Sequence, residues 1–119
     1  MKIVAFLIAD RIYKAQNGKI NIEGLFGRIN SKSFPALHKQ LYVLTAFEGP
    51  NGEYDHILTI TQDDSVVAEI HTKVNKNSGV SWNVVNEING LPLAIPGKYI
   101  FEAKINSQEA RQVIEVNKI

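Results

Sequence analysis

Hydrophobic and polar positions alternate along most of the chain, and the clearest alternation lies between residues 98 and 105. One face carries Tyr99, Phe101, Ala103 and Ile105, and the other carries Lys98, Glu102 and Lys104. A period of two is typical of a strand with one buried face. Pro96-Gly97 predicts the turn into this strand. A second strand, which ends at Ile114 and Val116, follows the polar break at Asn106-Ser107.

Short polar turns separate the remaining apolar runs at similar intervals. Turns are predicted at Asn17-Gly18, at 49–52, at 63–65 and at 75–79. Strands are predicted at 3–9, 20–29, 39–47, 54–62, 66–74 and 80–88. The run at 39–47 is apolar on both faces, which predicts a central strand. Gly24 and Gly27 indicate a bulge, or the close approach of another backbone.

The spacing of these strands predicts the fold class. No segment of helical length keeps an apolar stripe without an interrupting Gly, Pro or Asn cluster. About eight short strands predict an all-β protein, a single antiparallel β-sandwich over residues 1–119, with a small closed barrel as the alternative. Residues 30–38, with Phe34-Pro35, are predicted to form a crossover loop. Residues 89–95 are predicted to be a loop because Pro92 opposes a central strand pairing.

The N-terminal run Ile3–Ala9 has two interpretations. Lys2 followed by seven apolar residues resembles the start of a secretory signal, but Asp10-Arg11 follow without a small-residue cleavage site. A strand buried on both faces gives the same pattern, and the run is too short to span a bilayer. We expect a strand, central or at an edge, and a cytoplasmic protein.

Turn and core residues spread over nearly the whole chain carry a family resemblance. They are Ala9-Asp10, Gly18-Lys19, Gly24-Leu25-Phe26, Ile29, Phe34-Pro35-Ala36 and Pro96-Gly97-Lys98-Tyr99-x-Phe101. In these positions the chain resembles a family of small, uncharacterised bacterial proteins. The resemblance implies a single immunoglobulin-like β-sandwich domain, and it brings no established activity and no catalytic residues.

Composition excludes several kinds of chemistry. The chain has no cysteine, so it has no disulfide, no thiolate metal site and no cysteine nucleophile. A formal net charge of +1 gives no field that would recruit nucleic acid or an anionic membrane. The basic residues are scattered among acids and form no basic strand interleaved with aromatic residues. We expect no cofactor, no nucleic acid partner and no membrane partner.

The candidate metal ligands are far apart in the sequence. His38, His56 and His71 lie in three segments without the spacing of known ligand motifs. We expect a loop histidine at 38 and two solvent-facing strand histidines, although His56 shares a face with apolar residues and would then be partly covered. The acidic pairs Asp63/Asp64 and Glu53/Asp55 lack a calcium-loop pattern, and we expect solvated turn acids.

Catalytic motifs are absent from the sequence. The serines lie almost entirely in predicted turns, and none belongs to a Gly-x-Ser-x-Gly or Ser-x-x-Lys motif. Gly24 and Gly27 have the wrong spacing for a phosphate-binding loop. We therefore expect a protein that is not an enzyme.

Two binding hypotheses remain. In the first, the strand 80–88, with Val84, Val85 and Ile88 and with Glu87 as its only charge, pairs through its edge with another chain, so that the protein acts through protein–protein contact as a homo-oligomer or an accessory subunit. In the second, Trp82 with Asn83 and Asn86 forms a platform for a carbohydrate or another small ligand. Because Val80 and Val84 share the face of Trp82, a core position is the alternative role for this indole.

Overall fold

The computed structural model describes all 119 residues, Met1–Ile119, and consists of nine β-strands without a helix. The strands are β1 (Lys2–Lys14), β2 (Ile20–Leu25), β3 (Arg28–Ser31), β4 (Ala36–Glu48), β5 (Gly52–Gln62), β6 (Ser65–Lys76), β7 (Ser81–Leu93), β8 (Gly97–Ile105) and β9 (Gln108–Lys118). No helix is present that would be long and apolar enough to cross a membrane.

The strands form two packed sheets. A four-stranded sheet has the order β2-β1-β4-β7, and a five-stranded sheet has the order β3-β9-β8-β5-β6. All neighbouring strands are antiparallel except β3 and β9, which pair in parallel. Each sheet keeps two edge strands, so the all-β prediction and the two-layered arrangement are confirmed, and the closed-barrel alternative is wrong.

The strand with the clearest sequence alternation lies inside the five-stranded sheet. Strand β8 pairs with β9 on one side and with β5 on the other, and Tyr99, Phe101 and Ala103 are buried. Strand β4 occupies the corresponding central place in the other sheet, between β1 and β7. Its predicted burial on both faces is confirmed, because Val43 faces the interior and Leu44 is covered on the outer face.

The N-terminal run forms part of β1, which is a central strand of the four-stranded sheet. Phe6 and Ile8 belong to the main apolar core, whereas Leu7 is only partly buried. Val4 is exposed at a register shift in the pairing with β4. The expected burial of both faces therefore holds for the middle of this strand and fails at its start.

The predicted strand at 20–29 is two strands in different sheets. Strand β2 ends at Leu25 in the four-stranded sheet, and β3 begins at Arg28 in the five-stranded one. The chain changes sheets at Phe26-Gly27, where the Glu115 amide donates a hydrogen bond to the Gly27 carbonyl. The chain thus crosses from one sheet to the other along one side of the sandwich. This division of the predicted 20–29 strand raises the number of strands from the predicted eight to nine.

The structure differs from the sequence pattern at two further points, the C-terminal part of β7 and the start of β6. Strand β7 continues to Leu93 through Pro92, because proline is tolerated in an edge strand whose outer side needs no N–H donor. On β6, Val66 alternates in phase with Ala68 and Ile70, which pack on the core, but it is exposed. A register shift opposite Ile60 and Thr61 turns Val67 toward the core in its place.

The two glycines of the predicted 20–29 strand serve different purposes. Gly24 has a φ of +69°, and a Cβ at this position would overlap the carboxylate of Asp10 on the neighbouring strand. The close neighbour is thus a side chain, where the sequence suggested a backbone. Gly27 has open space around it and no positive φ.

We predict that Gly24→Ala lowers the free energy of unfolding by about 1–3 kcal/mol, since it adds both a strained φ and a steric overlap. Gly27→Ala is the matched control and is expected to leave stability unchanged or to raise it by about 0.4–1 kcal/mol. Urea denaturation of both variants measures the difference. Equal stabilities of the two variants would contradict the interpretation of Gly24.

Candidate functional site

Four polar side chains form a layer across the interior of the sandwich. The layer consists of the buried Thr45, His56 and Asn86 and the partly buried Thr72, one from each of β4, β5, β6 and β7. On their strands Thr45 lies between Val43 and Phe47, His56 between Leu58 and Tyr54, Thr72 between Ile70 and Val74, and Asn86 between Ile88 and Val84. The first of each apolar pair belongs to or packs on the main cluster, and the second belongs to a smaller cluster. The polar layer therefore divides the core in two.

Hydrogen bonds within the layer join the two sheets. His56 Nε2 and Thr45 Oγ1 share a hydrogen bond of 3.0 Å, and Asn86 Nδ2 donates one of 3.2 Å to Thr72 Oγ1. Two buried atoms, His56 Nδ1 and Asn86 Oδ1, have no hydrogen-bond partner in the protein. Unpartnered buried polar atoms cost about 1–3 kcal/mol each, so this layer costs stability that an apolar one would not.

The interior position of His56 corrects the expected solvent-facing histidine. Its side chain is 0% exposed, on the face shared with Leu58 and Ile60, and β5 is not an edge strand. Burial lowers the pKa of His56, because removal from water disfavours the charged imidazolium. The neutral form is therefore favoured in the folded protein.

The other histidines do not join His56. His71 is exposed on β6, as expected, and its Nε2 lies 2.9 Å from Glu69 Oε1. The expected loop histidine, His38, lies instead in strand β4, because β4 begins at Ala36 and leaves only residues 32–35 as a loop. Its partly buried ring is 5.8 Å from the Phe26 ring, measured between centroids. His, Asp and Glu side chains nowhere converge in a group of three or more that would hold a metal ion. Asp63 and Asp64 lie in the β5–β6 turn with positive φ, as solvated turn residues do.

A cleft of about 280 Å³ runs between the edge strands β6 and β7, and we call it the β6–β7 cleft. Its lining consists of Thr72, Lys73, Val74, Asn75, Trp82, Asn83, Val84 and Val85. Trp82 is partly buried and packs against the smaller apolar cluster, so it is both a core residue and a cleft wall. Asn83 is at the cleft, whereas Asn86 is 8% exposed and belongs to the polar layer. The three candidate ligand residues are therefore split between the surface and the interior.

A larger surface depression of about 570 Å³ lies on the outer face of the five-stranded sheet. Its charges offset one another: Arg28 is 3.6 Å from Glu115, and Glu115 is also paired across the strands with Lys98. No buried polar group lines it, and it offers less specific chemistry than the β6–β7 cleft.

The candidate interface residues also have different environments. Val84 and Ile88 face the core at 5% and 7% exposure, so their side chains are not available to a partner. Val85 faces outward at 38% exposure. Glu87, the single charged residue of β7, accepts hydrogen bonds from Gln40 and, at 3.1 Å, from the Tyr42 hydroxyl.

Sequence reasoning missed Thr45 and Thr72 as parts of a site. The sequence signal that finds them is strand alternation, because both Thr45 and Thr72 occupy a position whose strand neighbours at ±2 are apolar. Asn86 carries the same signal between Val84 and Ile88. The strand register places His56 directly opposite Thr72, whereas Thr45 and Asn86 are diagonal neighbours, opposite Val84 and Val43. Only the structure shows that hydrogen bonds between the sheets join these positions in pairs.

A family model matches the chain over residues 4–115, which includes every residue of the polar layer and of the cleft. The chain belongs to the Family of unknown function (DUF6941). The matched segment begins within β1 and ends within β9, so membership covers both sheets. No curated protein matches the sequence.

The buried imidazole gives a testable pH dependence. Because the folded-state pKa of His56 lies below the unfolded value, the unfolded chain binds more protons as the pH falls through about 6.5. We predict that this contribution to stability is complete above about pH 7.5 and decreases toward pH 5, with a slope of up to about 1.4 kcal/mol per pH unit. Urea denaturation at a series of pH values measures the slope.

His56→Gln is expected to remove this slope even though it lowers the absolute stability. His71→Gln, the control at an exposed position, is expected to keep it. The same slope in wild type and His56→Gln would contradict the assignment.

Proposed function

We propose that the protein is a non-enzymatic module that acts by contact with another protein chain, and that the edge strand β7 is the contact. The observation that carries the proposal is the nature of this edge. Residues 81–89 of β7 contain one charged residue, Glu87, whose Oε1 accepts hydrogen bonds from Gln40 and Tyr42 of the neighbouring strand β4. An edge strand presents unpaired N–H and C=O groups, which pair readily with an added strand.

The other three edges are less suited to strand addition. Strands β2 and β3 have six and four residues. Strand β6 has 12, but it carries Glu69 and Lys73 and a register shift near its start. Short length, charges and bulges are the features that protect natural edges from pairing. Strand β7 has 13 residues, and only its C-terminal part is protected, by Gly90 with a φ of +75° and by Pro92.

We further propose that the sandwich is immunoglobulin-like, as the sequence resemblance implies. In that fold the second strand lies beside the fifth in one sheet, and the third lies beside the sixth in the other. The pairings of β4 with β7 and of β5 with β8 have this interlocked pattern, which supports the proposal. The β1–β2 hairpin would be an addition to it.

Val85→Lys tests the contact at β7. We predict that wild-type protein has a solution mass above 13.3 kDa, and that the lysine reduces it to 13.3 kDa because it brings a charge to the pairing edge. Light scattering at two concentrations a hundredfold apart measures both proteins. At a concentration low enough for both proteins to be monomeric, the melting temperature is expected to stay nearly unchanged because Val85 faces outward.

Val113→Lys is the matched control, since Val113 is 42% exposed on β9, which is not an edge strand. It is expected to keep the wild-type mass. A wild-type mass of 13.3 kDa at both concentrations, or an unchanged mass of Val85→Lys, would contradict a self-associating β7 edge.

A specific observation favours a second function, the binding of a hydroxylated small ligand in the β6–β7 cleft. Thr72 Oγ1 accepts a hydrogen bond from Asn86, which leaves its own hydroxyl hydrogen free to donate toward the cleft. Trp82 provides an aromatic wall, and Asn75 and Asn83 provide amide donors and acceptors. A volume of about 280 Å³ lies just below the usual range for drug-sized ligands, which favours a single sugar ring or a polyol.

Trp82 is the single tryptophan of the chain and reports on this cleft directly. We predict that titration with neutral monosaccharides changes its emission, and that Thr72→Val weakens the response at least tenfold. Thr59→Val, on the five-stranded sheet away from the cleft, serves as the control. The titration is performed at a protein concentration at which light scattering gives a constant mass. An emission spectrum insensitive to every sugar would contradict this function.

A further inference from the structure

We infer that the strand added to β7 is β7 of a second copy of this chain, antiparallel, with a two-fold axis at Val85. The inference rests on the proposed function and names its partner and register. It follows from three properties of residues 81–89: the alternation of their side chains, the length of the usable edge and the distribution of their charge.

The alternation of β7 restricts the position of the axis. Directly opposite residues of an antiparallel pair point to the same face of the sheet. The outward residues of β7, such as Val85 and Glu87, must therefore oppose outward residues of the second copy if the two sheets are to be continuous. This condition is met only when the axis passes through a residue and never when it passes between two residues.

The length of the usable edge then selects the residue. The segment begins at Ser81, where the strand starts, and ends at Asn89, before the positive φ of Gly90 and the missing N–H of Pro92. An axis at Val85 pairs all nine residues of this segment. An axis one residue to either side shortens the usable pairing by two residues, and an axis further away shortens it more.

Charge supports the same register. With the axis at Val85, each Glu87 lies opposite the neutral amide of Asn83 of the second copy. An axis at Glu87 would place two carboxylates directly opposite each other, which destabilises a strand pair. At the axis itself, Val85 meets Val85 of the second copy and extends the apolar row that it forms with Leu44 and Leu7 across the outer face.

The absence of cysteine makes a direct test available, because any introduced cysteine is the only thiol. In the inferred dimer the two Cα atoms at position 85 are about 4.5–5.5 Å apart, which suits a disulfide. We expect Val85→Cys to form a covalent dimer nearly completely under mild oxidation. The control Val113→Cys, equally exposed but on a central strand, is expected to remain monomeric on the same gel.

Two further variants test the register. Asn83→Cys alone is not expected to cross-link, since its two copies are about 13 Å apart along the strands. Mixed with Glu87→Cys chains, it is expected to form a covalent heterodimer. In the chain without an introduced cysteine, Asn83→Lys should lower the dissociation constant of the dimer about threefold to tenfold, because each of the two lysines lies opposite a Glu87 carboxylate. Asn83→Glu should raise the dissociation constant by a similar factor, because it places two like-charged pairs opposite each other.

The outcomes separate the inference from the function on which it rests. If Val85→Lys dissociates the wild-type assembly but Val85→Cys stays monomeric under oxidation, the register is overturned and the contact through β7 stands. If the wild type has a mass of 13.3 kDa at both concentrations and no cysteine variant cross-links, the register and self-association through β7 are both overturned. Covalent dimers of Val85→Cys together with opposite effects of the two Asn83 charges support both.

Discussion

The polar layer requires one alignment of the two sheets. Thr45 and Asn86 come from the four-stranded sheet, and His56 and Thr72 come from the five-stranded one. Apolar faces tolerate small displacements, because one hydrophobic contact replaces another, whereas a buried imidazole or amide loses its partner when the sheets slide by one residue. The layer thus lowers the free energy of unfolding, but it favours one relative position of the two sheets over all others. It also determines that β6 and β7, the two edges that carry its outer members, lie next to each other.

The strands that depend on local pattern could be predicted, and those that depend on distant partners could not. Strand β8 was predicted because its alternation and its preceding turn lie within ten residues of sequence. The sequence does not separate strand β3 from β2, because β3 has four residues and owes its existence to a parallel partner near the other end of the chain. The C-terminal part of β7 is a strand where Pro92 predicts a loop, because the proline opposes only a central strand pairing and the edge position of β7 is not visible in the sequence.

The candidate site was predictable only in fragments for the same reason. Trp82, Asn83 and Asn86 were grouped by proximity in sequence, but alternation sends Asn83 outward and Asn86 inward. The sequence presents His56 as a candidate metal ligand because of its imidazole. Its environment depends instead on its inward-facing position on β5 and on the place of β5 between two other strands of its sheet. A polar residue at a core-facing position is the informative signal. Its meaning becomes clear only when the register places His56 opposite Thr72 and a hydrogen bond joins it to Thr45.

The arrangement of strands has a consequence for biosynthesis. Strands β8 and β9 form the middle of the five-stranded sheet, and they supply Tyr99, Phe101, Ala103, Ile114 and Val116 to the main core. A ribosome that has released only β1 to β7 has therefore made a four-stranded sheet with one uncovered apolar face, and β5 and β6 without the strands that join them to β3. Stable folding must wait until the final hairpin emerges. Until then the nascent chain presents the kind of surface that chaperones bind.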